Sequence, residues 1–283
     1  MSRLLASLGR IAGLLAAAYV AICVIVFFAR NRLVFPMRGG TAGDPRAYRL
    51  PDGESVAIRT ADGQLLAGWF LPPTGATPKP WPVLLWFHGN GETVAGLADV
   101  LRAFRPAHAG LLAVDYRGYG RSTGRPTVAN VVADADATLL YLQSRPDVDA
   151  RRIVVYGRSV GSGPAVHVAA THAVAGLVLE SAFTSLSAMS AVHFPIFPSL
   201  LAGRGFDNLA TIARVTCPIL FVHGDSDRTV PIEMGRALAA RAPRVAEFFV
   251  IPRADHNDTY DMGRAEYVRR VRQFVERVTA VTR

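Results

Sequence analysis

IVVYGRSVGSG, residues Ile153 to Gly163, joins an apolar, β-branched run to a cluster of small residues. The first half reads as a buried strand and the second as the opening of a helix. Between them, Gly157-Arg158-Ser159-Val160-Gly161 has the pattern GxSxG. This is the signature of a sharp strand-to-helix turn that lifts a serine hydroxyl above the edge of a sheet. The glycines two residues to either side fit such a turn, because strand and helix backbones crowd there and a Cβ would clash. A helix-opening turn capped by a serine has the same local signature. The decision between the two lies with partners elsewhere in the chain.

Working outward, Glu54 to Phe70 holds two alternating runs joined at Asp62-Gly63. That is a hairpin signal, so the sheet begins antiparallel. Beyond a proline-rich loop at 72–82, strands alternate with helices. VLLWF from Val83 precedes a helix expected over Val94 to Phe104, and LLAVD from Leu111 precedes one over Val128 to Leu142. IVVY with its turn follows, then GLVLE from Gly176, PILFV from Pro218 and EFFVI from Glu247. An amphipathic helix through Tyr267, Val271, Phe274 and Val278 closes the chain. The expected fold is α/β: a mostly parallel sheet with an antiparallel N-terminal hairpin and helices on both faces. Ligands of such a sheet bind at the carboxyl ends of its strands.

The residues that follow those strand ends carry chemistry. After VLLWF comes His88-Gly89-Asn90-Gly91-Glu92, a glycine-rich loop whose backbone N–H groups can approach a substrate closely. Asn90 and Val160 are the candidate oxyanion donors, and His88 is read as a brace for the loop. After PILFV comes HGDSDRTVP from His223, and after EFFVI comes Ala254-Asp255-His256-Asn257-Asp258. A serine hydroxyl is a poor nucleophile until a histidine takes its proton, and that histidine needs a carboxylate to fix its tautomer. His256 supplies the first and Asp227 the second. Asp225 satisfies position equally well, or braces its loop through backbone N–H groups. Asp255 and Asp258 read as loop-structuring carboxylates. The order Ser, Asp, His along the chain suits a sheet of this kind and neither the chymotrypsin nor the subtilisin order.

Composition narrows the partners. The formal charge is +9, yet there is a single lysine, Lys79, and the arginines are scattered without a basic tract or aromatic interleaving. Nucleic acid is not expected, and anionic lipid headgroups are the more natural use of the charge. Cys23 and Cys217, the two cysteines, imply neither a disulfide framework nor a metal site. From Ile11 to Ala29 the chain runs 19 residues without a charge, between Arg10 and Arg30. That length crosses a bilayer as a helix. A cleaved signal peptide is the rival reading, but the apolar run is too long for one and no small-x-small site precedes Arg30. The expected organisation is a single-pass anchor over 1–34, a linker over 35–49 and a catalytic domain over 50–283. Flanking arginines are too evenly balanced to give the side of the membrane.

Taken together, HGNG at His88, DYRGYGRSTGRP from Asp115, GRSVGSG from Gly157, FDNL from Phe206, HGDSDRTVP from His223 and DHND from Asp255 resemble the α/β-hydrolase superfamily. The resemblance is greatest to its membrane-anchored serine hydrolases of the alpha/beta-hydrolase-domain-containing type. These signatures span roughly 180 residues in the expected order. The resemblance puts the family acid on Asp227. Ala254-Asp255 departs from the glycines that such proteins often carry before the histidine. Relatives of this kind include esterases, lysophospholipases and protein depalmitoylases. The expectation is therefore a membrane-tethered serine hydrolase of esters or thioesters, taking a small-molecule or lipid acyl substrate, without metal or organic cofactor. Peptide or amide hydrolysis on the same residues is the nearest alternative. A non-catalytic membrane scaffold is the alternative of a different class. The segment 182–212, rich in large apolar residues, is expected to be either an acyl-binding lid or a short helical cap packed on the core.

Overall fold

A computed structural model of the chain describes residues 2–36, 40, 43–203 and 205–280. Among them the strands are β1 Glu54–Arg59, β2 Leu65–Leu71, β3 Trp81–Phe87, β4 Gly110–Val114, β5 Val148–Arg158, β6 Gly176–Glu180, β7 Ile219–Gly224 and β8 Val245–Ile251. The α-helices are α1 Ser2–Val34, α2 Ala98–Phe104, α3 Val128–Ser144, α4 Ser162–Thr171, α5 Leu186–His193, α6 Asn208–Thr211, α7 Ile232–Arg241 and α8 Thr259–Thr279, the last interrupted at Arg264.

All eight strands form one sheet in the order β1-β2-β4-β3-β5-β6-β7-β8. β1 and β2 pair antiparallel, β2 joins β4 antiparallel, and every pairing from β4 through β8 is parallel. The expected α/β architecture with its N-terminal hairpin is what the chain adopts. Side chains alternate across the sheet, as a two-residue period requires. Val83, Leu85, Phe87, Ile153 and Val155 enter one buried cluster, while Leu84, Trp86, Val154 and Tyr156 enter the other. Burial on both faces is why these strands read as continuous apolar runs. The parallel strands end together, so the segments after β3, β5, β7 and β8 share one edge.

One boundary differs from expectation. The helix after β3 begins at Ala98, not Val94. Side-chain acceptors hold the intervening turn: Val94 N–H donates to Asp115 Oδ1 at 2.8 Å and Gly96 N–H to Thr93 Oγ1 at 3.2 Å. α1 overruns the charge-free stretch at both ends and stops at Val34, because Pro36 disfavours a helical conformation at Phe35. Of the expected linker, 37–39 and 41–42 lie outside the described residues, and Phe35, Gly43, Pro45 and Tyr48 are packed on the domain. Phe35 is buried edge-on against Tyr116 and Phe206. Trp69 Nε1–H donates to Gly43 O at 3.1 Å, and Tyr48 tilts over the Trp69 ring at 5.0 Å.

Candidate active site

Ser159 follows directly on β5 with a φ of +51°. A non-glycine residue holds that conformation only where its surroundings impose it. A Cβ on Gly157 would meet Ala165 Cβ and Gly161 O at 2.5 Å, and one on Gly161 would meet Phe87 O at 2.3 Å. Glycine is thus a steric requirement on both sides of the serine. The FDNL segment braces the turn from behind: Asn208 Nδ2 donates to Ser162 Oγ at 3.2 Å and to Phe183 O at 3.0 Å, while Ser162 Oγ–H donates to Ser159 O at 2.6 Å.

Three residues from separate strand ends meet here. His256 Nε2 lies 2.9 Å from Ser159 Oγ, and His256 Nδ1 lies 2.9 Å from Asp227 Oδ2. All three are buried. The other carboxylate oxygen, Asp227 Oδ1, accepts Thr229 N–H at 3.0 Å and Val230 N–H at 2.7 Å. Burial raises the Asp227 carboxyl, but the bond and charge of His256 together with Val230 N–H outweigh it and hold the group below its ordinary value. Asp227 therefore stays ionised, and Nδ1 of His256 carries the proton that it accepts. That tautomer leaves Nε2 free to receive the serine proton. A second histidine, His223, is buried behind the acid with Nε2–H donating to Val230 O at 2.8 Å. Its burial lowers its pKa, so it stands neutral at pH 7 and fixes the loop without adding charge.

The remaining carboxylates of these loops are engaged elsewhere. Asp225 is exposed, and its Oδ1 accepts Arg253 N–H at 2.6 Å and the Ser226 hydroxyl at 3.0 Å. Asp255 accepts N–H groups of Arg228 at 3.0 Å and His256 at 2.8 Å and forms an ion pair with the Arg228 guanidinium; these bonds lower its pKa to about 2. Asp258 Oδ1 accepts Asp255 N–H at 2.7 Å. The Ala254-Asp255 departure thus builds a bonded turn around the His256 backbone, with the Asp255 charge spent on Arg228.

The oxyanion candidates sit at the ends of β3 and β5. Val160 is the second residue of a 3-10 turn over Ser159–Gly161, where the first N–H groups have no intrahelical acceptor. Asn90 is an exposed residue in the otherwise covered loop after β3, and the Tyr119 hydroxyl reaches its Oδ1 at 3.3 Å. The Tyr116 hydroxyl donates to His88 O at 2.8 Å, so the Asp115 motif shapes this loop. His88 is wholly buried, with Nδ1–H donating to Gly89 O at 2.9 Å.

Two residues that sequence reading passed over tie these loops together. Gly89 N–H donates to Glu92 Oε2 at 2.6 Å, and the other Glu92 oxygen forms an ion pair with Arg158. Arg158 Nη2 donates to the backbone oxygen of His256 at 2.6 Å, and its Nε faces Glu180 at 3.4 Å. Burial lowers the Arg158 pKa, but the charges of Glu180 and Glu92 outweigh it, so the guanidinium stays charged. One side chain beside Ser159 thus connects the loop after β3 to the loop that holds His256. Glu92 and Arg158 are 66 residues apart, a separation at which no local spacing signals a pair.

Residues 78–211 match the family model described as serine aminopeptidase, S33. The chain is 36% identical over 246 residues to the uncharacterized protein Rv2307c of Mycobacterium tuberculosis, covering 85% of this chain and 86% of that one. It is 31% identical over 223 residues to human alpha/beta hydrolase domain-containing protein 17B, covering 78% and 75%. Among solved structures, Pyrococcus furiosus esterase Pf2001 superposes with a TM-score of 0.69 at 22% identity, over 87% of this chain and all of that one. Est1E from Butyrivibrio proteoclasticus does so with 0.67 at 17%, over 80% and 99%. These last two, at such low identity, show the shared fold. With its sheet order, its serine turn and its relatives pointing the same way, the chain belongs to the α/β-hydrolase superfamily and is a hydrolase related to the alpha/beta-hydrolase-domain-containing proteins.

Proposed function

We propose that the protein is a membrane-tethered serine hydrolase that cleaves carboxylic esters or thioesters through an acyl-enzyme. The observation that carries this reading is the Ser159–His256–Asp227 relay, with 2.9 Å at each link. Ser159 Oγ attacks the substrate carbonyl carbon as His256 Nε2 takes its proton. The Asn90 and Val160 N–H groups hold the oxyanion of the tetrahedral intermediate. His256 returns the proton to the departing alcohol or thiol, leaving Ser159 acylated. Water then attacks the acyl-enzyme with His256 as base, and the acid departs. Amide hydrolysis follows the same steps, and the serine aminopeptidase match over 78–211 favours it as the second reading. Assaying matched ester, thioester and amide substrates of one acyl group separates the two: ester or thioester turnover should exceed amide turnover.

Glu92 and Arg158 act here as positioning residues. Arg158→Met would leave Glu180 buried without its cationic partner, so the informative variant is Glu92→Ala, in which Arg158 keeps Glu180. Releasing Gly89 N–H lets the peptide next to Asn90 drift. Misplacement by about 1 Å costs on the order of a hundredfold. The expected result is a kcat lower by about ten- to a hundredfold with KM little changed. A lowered melting temperature at unchanged kcat would assign the pair a purely structural role.

Tethering rests on α1. Its span from Ser7 to Val34 is long and apolar enough to cross a bilayer, and none of its most apolar stretch is buried in the protein. An anchor raises the local concentration of bilayer-borne substrate without altering the chemistry. Removal of residues 1–32 keeps Phe35 in the core and should give a protein that cleaves a short soluble ester as fast as the full chain. On long-chain acyl substrates in vesicles, at equal concentration of probe-labelled sites, it should be slower by about a hundredfold. Equal losses on both substrates would mean that α1 is part of the fold, and no loss on vesicles that it sets location alone.

A further inference from the structure

The segment that crosses from β6 to β7 is unusual in composition. From Ser181 to Gly203 it holds no Asp, Glu, Lys or Arg, in a chain that is 19% charged. Its base is packed: Leu186, Phe206 and Ile212 are buried, and His193 Nε2–H donates to Thr229 O at 2.7 Å, beside the Asp227 loop. Its tip is bare. Phe194, Ile196 and Leu200 are 55%, 72% and 73% exposed. Three large apolar side chains together on a soluble surface mark a contact site.

Contacts with α1 say what covers them. The Tyr19 hydroxyl donates to Ile196 O at 2.7 Å, and the Tyr19 ring stacks on Phe197 with 6.1 Å between centroids. At the other end of the segment, a Cβ on Gly203 would lie 3.7 Å from Arg30 Nε. The tip therefore runs alongside the helix, with Ile196 level with Tyr19 and Gly203 level with Arg30. Eleven residues of helix rise about 16 Å. With Arg30 among the headgroups, that depth is about half of a ~30 Å hydrocarbon core.

Backbone polar groups carried to that depth must be satisfied within the protein. Pro195 and Pro198 have no N–H to satisfy. Phe194 N–H bonds Ser190 O, Phe197 N–H bonds Phe194 O, Leu201 N–H bonds Pro198 O and Gly203 N–H bonds Leu200 O, at 2.8 to 3.0 Å. The Ile196 carbonyl is taken by Tyr19, which in turn gives that hydroxyl a partner within the apolar helix.

We propose that 194–201 is a membrane-inserted loop, seated on α1 through Tyr19 and covered on its exposed face by lipid hydrocarbon. This rests on the reading that α1 enters the bilayer. It brings the edge of the sheet that carries Ser159 against the membrane, through the His193–Thr229 link. The substrate class that suits such a site is an ester or thioester whose acyl chain already lies in the bilayer.

Depth can be read without any assay of hydrolysis. The full chain would be reconstituted in phosphatidylcholine vesicles with lipids brominated at mid-chain, and tryptophan placed at either of two exposed positions, Ile196→Trp or Leu15→Trp in α1. Trp69, Trp81 and Trp86 supply the background, read from the parent. We expect both added tryptophans to lose fluorescence to the bromolipid to a similar extent and to resist acrylamide. Adding Tyr19→Phe to Ile196→Trp should increase acrylamide quenching as the tip is released. Quenching of Leu15→Trp alone, with Ile196→Trp open to acrylamide, would overturn this inference and leave the anchor standing. Failure of bromolipid to quench either would overturn both. Protection of Ile196→Trp from both quenchers, growing with the protein-to-lipid ratio, would overturn it in favour of a second copy of the chain on this face.

Discussion

Ser159→Ala should fold as the parent does and lose ester hydrolysis together with fluorophosphonate labelling. Loss of the nucleophile of such a relay lowers turnover by about a million-fold. The fold should survive because the bonds that hold the turn use the Ser159 carbonyl, not its hydroxyl: Ser162 Oγ–H donates to Ser159 O. Steric closure by Gly157 and Gly161 is likewise untouched. Unchanged circular dichroism with turnover near that of the oxyanion site alone is the expected pair of readings. Turnover within tenfold of the parent would remove Ser159 from the chemistry.

Asp227→Asn is expected to cost about ten-thousand-fold in turnover, as the histidine is driven into the wrong tautomer. Thr229 and Val230 N–H groups claim one side-chain oxygen, so the amide nitrogen falls where Oδ2 now faces His256 Nδ1. An NH2 group cannot accept the Nδ1 proton. The imidazole then protonates on Nε2 and cannot take the proton from Ser159. Asp225→Asn keeps an oxygen for Arg253 N–H on an exposed loop, and its cost should be within a few-fold. The pH dependence has a definite sign: the Asp227 pKa is lowered by folding, so its contribution to stability is present above the unfolded value of about 3.9 and is lost as pH falls through the folded value. Kinetics of the two variants at pH 7 and their acid unfolding profiles check both statements. A larger loss for Asp225→Asn would move the acid to that residue.

The strands were legible because those buried on both faces leave continuous apolar runs, and because β3, β5 and β7 each lead into a glycine-punctuated turn that holds a candidate site residue. Ser159, His256 and an aspartate of the loop after β7 could be brought together from strand ends alone, since parallel strands deliver their carboxyl ends to one edge. The choice between Asp225 and Asp227 could not be made that way. In an irregular loop no fixed period relates the directions of side chains two residues apart, and the neighbours, Arg253 N–H for one and His256 for the other, tell them apart. The Glu92–Arg158 link was hidden for a related reason: each charge reads locally as a solvated loop or motif filler. The start of α2 was misread because the apolar pattern from Val94 is that of a helix, while Asp115 and Thr93 take its first N–H groups. Phe35 looked like linker beside Pro36, and its burial depends on Tyr116 and Phe206, far along the chain. The segment 182–212 divides between the two expectations, with a packed base and a tip that meets α1.

The claim on which the rest depends is that an acyl group passes through Ser159. Mixing the protein with an excess of a p-nitrophenyl ester, quenching in acid within the first turnover and digesting the protein allows the peptide that holds Gly157 to Gly163 to be weighed. The account predicts a mass increase equal to the acyl group, located on Ser159, absent from Ser159→Ala and prolonged in Asp227→Asn. A burst of nitrophenol with the acyl group on another residue, or steady turnover of the ester with no acylated peptide even when deacylation is slowed, would contradict it.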